Sequence, residues 1–284
     1  MKIIWIIVRL TWLETSRRRI LWVALGLSLG FLVFFALSFN AMQRNFLSGS
    51  KYLPATAALG WNNEAKNILT MVGLYSVNML ALLLTGFASA DSISGEVASG
   101  AIHTVLAKPI GRWQVVVGKG LGFTGLMTAY LLLMGSGILG SVYLLSGYAP
   151  PNLLRGLGLM WLDCLLFLSL SLAVGSRFST SANGTFLFGL FAFALLGSLM
   201  EQIGSALSDA ASSQMGVFVS LLLPSDAVWR RAAYEMRPAL SSPMSFSGLM
   251  PQWSYPSAAM IWYAVGYTVV TLAAAFYGFS HRDV

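Results

Sequence analysis

The feature that most limits this chain is a recurring length. Apolar runs of about 20 residues return along it, the extent of a helix that crosses the hydrocarbon core of a bilayer. Six such runs fall at about residues 20–39, 68–90, 120–145, 158–174, 185–199 and 258–279, the fifth being short. A backbone N–H or C=O finds no water in lipid, so each run must satisfy its own hydrogen bonds, and the runs are read as helices. Only 10% of the 284 residues are charged, against roughly 25% in a soluble domain. The expected fold is therefore all-α: one polytopic membrane unit over residues 1–284 with six transmembrane helices.

The same pattern excludes several classes. The formal charge of +7 is spread over the ends of loops, with no basic run interleaved with aromatics, so membrane anchoring is expected and nucleic-acid binding is not. The lone Cys164 lies inside an apolar run and cannot form an intrachain disulfide. The N-terminus does not read as a signal peptide: its apolar stretch, Ile3 to Val8, is short, and Glu14 and Arg17, Arg18 and Arg19 follow it.

Sidedness follows from lysine and arginine. Residues 1–19, 91–119, 175–184 and 280–284 share one side and carry 10 of the 17 basic residues. The other side carries seven over a longer stretch of chain. The denser side is expected to be cytoplasmic, with both termini inside.

Three pieces lie outside the spans. In residues 1–19, Lys2, Arg9 and Ser16 recur every seven positions with Trp5 and Trp12 alongside, which reads as an interfacial helix on the inner membrane surface or as a polar extension of the first span. Residues 91–119 form a loop with its own short helix, about Glu96 to Ala107, closed by Pro109. Such a loop is placed to touch a cytoplasmic partner, or it is a simple hairpin tip. Residues 200–257 form a long outer segment, helical in its first part. A second helix starts at Pro224-Ser225-Asp226, with Ser225 or Asp226 as N-cap, and stops before Pro238; an irregular, proline-rich stretch follows. Short helices and a re-entrant outer gate are one reading, an unstructured decoration the other.

No motif carries catalysis or metal. Gly111 to Gly120 has six residues between the glycines of a P-loop-like pattern and Gly120 where a hydroxyl must reach magnesium, so no nucleotide site is expected. Gly26-Leu-Ser28-Leu-Gly30 matches a nucleophile elbow, but it lies within a span and His103 and His281 are far along the chain. Gly26 and Gly30 fit a helix-packing face better. Asp163 is the one acidic residue within a span as read here, a candidate intramembrane polar site. It faces a substrate path or subunit interface, or it is hydrated near Arg155. Met200, Met215, Met236, Met244 and Met250 are scattered without His or Cys and read as packing rather than a soft-metal site. Arg230, Arg231 and Arg237 read as a solvated face or as contacts to lipid phosphates or an anionic substrate.

Residues 91–113 read DSISGEVASGAIHTVLAKPIGRW, followed by Gly118-Lys119, and the tail reads Phe279-Ser-His-Arg282-Asp283. In this order and topology the chain resembles the ABC-2 type permease family. Members show an acidic residue, then Glu and Gly, a short apolar helix, Pro, a basic residue and Gly-Lys before the third span. The family often has Gly-Thr-Leu where this chain has Gly100-Ala101-Ile102; a small, apolar helix face is kept. Within the family it is similar to small permeases, such as that of the copper-processing system that matures nitrous oxide reductase. The resemblance implies a transport subunit, itself no enzyme and without cofactor. It would pair with a second permease copy and couple to two copies of a cytoplasmic ABC ATPase that binds ATP and magnesium. It implies an export direction and a bacterial or archaeal inner membrane. The coupling residues it implies are Asp91, Glu96, Gly100, His103, Pro109, Arg112 and Lys119. A membrane anchor or assembly factor, or an intramembrane enzyme, are the alternatives.

Overall fold

A computed structural model describes residues 2–49, 55–98, 111–238, 245–246, 251–252 and 254–281. Nine helices order these residues: α1 (Lys2–Arg17), α2 (Arg19–Gly49), α3 (Ala55–Ala98), α4 (Arg112–Ser146), α5 (Leu153–Gly175), α6 (Thr180–Ala206), α7 (Ala210–Leu222), α8 (Ser225–Glu235) and α9 (Ala258–Ser280). A two-residue antiparallel ladder, β1 (Ser245–Phe246) with β2 (Pro251–Gln252), precedes α9. Six helices, α2 to α6 and α9, are long and apolar enough to cross a membrane, as their hydropathy requires.

Several helices outlast the apolar runs that announce them. α3 begins at Ala55 and takes in Glu64 and Lys66, whose ammonium donates to the Ser146 carbonyl at 3.5 Å. The fifth span is 27 residues long, not short. Its hydropathy fades at Glu201 and Gln202, yet both side chains are buried and the helix continues to Ala206. α4 ends on Gly147 in the left-handed region (φ 65°), whose N–H returns to the Tyr143 carbonyl at 2.8 Å.

α5 is the axis of the bundle. Of its apolar window 61% is buried, against 11% for α2 and 17% for α9, which stand at the periphery. α3, α4, α6, α8 and α9 all pack on α5. The core fills with Met71 and Leu74 from α3, Met134 and Ile138 from α4, Met160 and Phe167 from α5 and Trp229 from α8. Several hydroxyls inside the bundle are satisfied locally or across helices. Thr70 and Ser76 donate to carbonyls four residues back, and Ser89 bonds Ser171 at 2.7 Å.

Up to Glu235 the outer segment is mostly helical. α6 turns at residues 207–209, and α7 folds back along it. Gly197, Gly204 and Gly216 permit this: a Cβ on Gly204 would stand 3.0 Å from Ser212 Cβ, and one on Gly216 would stand 2.6 Å from the Gly197 carbonyl. With 13 residues α7 is too short to span. The carbonyls of Leu221 and Leu222 near its end accept from Tyr263 (2.6 Å) and Tyr267 (3.0 Å) on α9. α8 starts one residue before the expected cap. Pro224 takes the N-cap position, and Ser225 and Asp226 fall in the first turn with their side chains turned inward.

Candidate functional site

Two places combine polar chemistry with a defined frame, one at each end of the bundle. At the first end α1 lies along the start of α4. Ile7 meets Gly118, Thr11 meets Gly122 and Trp12 meets Gly125, so the two helices run in the same sense. Ile7, Val115, Val116, Phe123, Leu168, Leu172, Ala275 and Phe279 form a cluster joining α1, α4, α5 and α9 there. The start of α6 joins the same end: Asn183 donates to the carbonyls of Ala90 (3.3 Å) and Ser171 (3.0 Å).

Of the loop residues singled out in the sequence, Asp91, Glu96, Arg112 and Lys119 lie on the described parts of α3 and α4 at this end. Helix α3 runs unbroken through Asp91 and Glu96 to Ala98, so no new helix begins at Glu96. Gly100, His103 and Pro109 lie outside the described residues. Arg112 opens α4 after Gly111, whose N–H is bonded by the Gln114 side chain at 3.3 Å. Lys119 is two turns further on and its side chain is buried, 5% exposed, so it stands inside the helix packing.

At the opposite end charge is buried. Arg230 of α8 donates two bonds to Glu201 of α6 (3.0 and 2.6 Å) and one to Asp226 (3.0 Å). Ser254 donates to Glu201 at 2.8 Å, and its backbone exchanges bonds with Gln202. Burial would pull the guanidinium below its ordinary value, but the Glu201 bonds and the charge of Asp226 hold it above. Arg231 pairs with Glu235 at 2.5 Å, and Arg237 bonds the Tyr255 hydroxyl at 2.6 Å. The arginines that read as a solvated face are thus internal partners. Asp226 and Glu235 lie four residues from Arg230 and Arg231 in sequence, whereas Glu201 lies 29 residues from Arg230 and no local pattern announces it.

Asp163 sits beneath this network, wholly buried. Asn78 of α3 donates to it at 2.8 Å, and Ser225 and Asp226 stand nearby. Asp163 Oδ1, Asn78 Oδ1 and Ser225 Oγ have no hydrogen-bond partner among the described residues. Arg155 is on the outside of the same helix, 3.8 Å from Glu235, and does not meet Asp163. Asn78 was invisible to pattern reading, and Ser225 was visible only as a helix cap, because each is an ordinary polar residue until the fold brings it to Asp163.

Gly26 and Gly30 face open space: a Cβ on either would meet nothing within 4 Å. Ser28, on the opposite face, is buried; its hydroxyl donates to the Ala24 carbonyl and so accepts from the Tyr130 hydroxyl at 2.7 Å. The small face is therefore not packed against the described residues, and Ser28 has hydroxyl and carbonyl neighbours where a nucleophile needs a base.

The family described as "ABC-2 family transporter protein" matches the chain over residues 5–284. The chain belongs to the ABC-2 transporter family. A search of curated proteins finds no match for it. Membership makes the bundle a multi-pass membrane permease, a transport subunit of an ABC transporter rather than an enzyme. In an ABC-2 permease of this layout the first end of the bundle gathers α1, the end of α3, the start of α4 and the end of α9. The second end gathers α7, α8 and the buried ion network.

Proposed function

We propose that this ABC-2 permease couples ATP hydrolysis, performed with magnesium on two copies of a separate cytoplasmic ABC ATPase, to export of a substrate across a bacterial or archaeal inner membrane. The observation that carries the reading is the family match over nearly the whole chain, joined to the gathering of α1, the end of α3 and the start of α4 at one end. That end holds the denser basic segments and is assigned to the cytoplasm, with both termini there. The segment 91–119, with Asp91, Glu96, Gly100, His103, Pro109 and Arg112, is the coupling element. α3 reaches into it without a break, so a push on the segment is delivered along a rigid helix to Asn78 and Asp163. Membrane lipids surround the bundle, and a second permease copy pairs with it; the open Gly26 and Gly30 face of α2 supports such a pairing.

Copurification of the tagged chain from native membranes in gentle detergent tests the reading. An ATPase subunit is expected with it, and recovery without one overturns the proposal. In the recovered complex, Glu96→Lys is expected to lower ATP turnover by about fivefold or more, the scale of one interfacial charge contact. Unchanged turnover would favour an anchor or assembly role.

A further inference from the structure

Beside the seam between α1 and α4 runs an open, apolar groove of about 790 Å³. Ile4, Trp5, Val8, Arg9 and Trp12 of α1 line one wall, and Leu121 and Gly125 of α4 the other. Trp5, Val8, Arg9 and Trp12 are spaced i, i+3, i+4 and i+7, so they share one helical face. Trp12 is fixed there, its indole donating to the Gly122 carbonyl at 2.8 Å. The two other polar groups at the mouth are not used. Neither the Trp5 indole N–H nor the Arg9 guanidinium has an acceptor among the described residues. Both are exposed, and four residues apart on a helix their Cβ atoms stand about 6 Å from each other. Two unpaired donors above an apolar trough call for an oxyanion that carries hydrocarbon. No acidic residue lines the groove, so a net negative headgroup meets only positive charge.

We propose that this groove is a binding site for one anionic phospholipid per chain, its phosphate held by Arg9 and Trp5 and its acyl chain laid along Val8, Trp12 and Leu121. The lipid closes the open flank of the seam and fixes α1 against α4. The site stands apart from ATPase coupling and needs no transport activity.

Native mass spectrometry of the full-length chain in detergent tests it, with phosphatidylglycerol, phosphatidylcholine and glycerol phosphate as probes. Phosphatidylglycerol is expected to be retained over phosphatidylcholine, and Arg9→Gln to weaken its retention by about fivefold. Arg17→Gln, on the same helix but outside the groove, is expected to leave retention unchanged. Equal loss in both variants would mean diffuse attraction to a basic helix and overturn the site. So would equal retention of the two lipids, or binding of glycerol phosphate as tight as that of phosphatidylglycerol. Brominated phosphatidylglycerol supplies a second readout. It should quench the fluorescence lost in Trp5→Phe, and quenching that is the same in that variant and in the parent counts against the groove.

Discussion

At one end of the bundle α1 lies on α4 through bare backbone: Gly118, Gly122 and Gly125 accept Ile7, Thr11 and Trp12. At the other end α8 is tied to α6 through charge: Arg230 holds Glu201 and, within α8, Asp226, and Ser254 closes the set. Lipid tails are as apolar as the side chains they would replace, so a seam facing them gains from close fit rather than from exclusion of water. A charge sealed from both lipid and water has no substitute partner, so its seam holds a single register and fails when one member is lost. The glycine seam permits small adjustments of α1 beside the coupling segment. The ion seam keeps the outer helices in one place.

The largest expected effect is on the ion seam. Arg230→Ala leaves Glu201 and Asp226 buried without their cation, and a loss of about 3–5 kcal/mol is expected. It would be read as a lower unfolding midpoint in detergent and as faster hydrogen exchange over residues 225–235. Asp163→Asn, one layer deeper, provides the contrast. The amide keeps an acceptor for Asn78 and removes a carboxylate that has no cation beside it, so a change below about 1 kcal/mol is expected. If Asp163→Asn proves as damaging as Arg230→Ala, the deeper residue belongs to the ion seam after all.

The glycine seam breaks by volume. A Cβ on Gly118 would stand 2.6 Å from Ile7 Cγ2 and 2.7 Å from Ile7 Cβ, too close for a branched side chain to retreat. Gly118→Ala is expected to cost about 1–3 kcal/mol and to raise trypsin cleavage at Arg17 and Arg19. Exchange over residues 225–235 should not change, since distant sites with no shared partners act independently. A change there would show that the two seams are one cooperative unit.

Hydropathy made the six spans legible because a bilayer imposes one length on every crossing. It mislocated their ends, since a helix continues wherever its polar residues find partners: Glu201 and Gln202 extend α6 because Arg230 and Ser254 wait for them. The candidate site was legible by halves. Asp163 stood out as a charge in lipid, whereas Asn78, 85 residues away, did not. Gly26 and Gly30 were recognisable as a small face, but only the position of Ser28 against Tyr130 shows that this face points outward. Periodicity reports which residues share a face, and pairing across the bundle lies beyond its reach.

The smallest expected effect sharpens the comparison at a charge that is not buried. Asp209 caps α7: its carboxylate accepts the Ser212 hydroxyl and the N–H groups of Ala211 (3.2 Å) and Ser212 (3.3 Å). The Ser212 hydroxyl bond and then the two backbone bonds hold its pKa below the usual aspartate value. A folded-state pKa that is depressed adds stability above the unfolded value, and that addition is lost as pH falls through the folded value. Asp209→Asn keeps a capping oxygen that does not titrate. The parent is therefore expected to exchange more slowly than Asp209→Asn at the first turn of α7 at neutral pH. The gap should close on acidification below the ordinary carboxylate range. Water can replace these bonds, unlike those of Arg230, so the unfolding midpoint should hardly move. A gap that widens with acid would show that the carboxylate is not held as an anion at this cap.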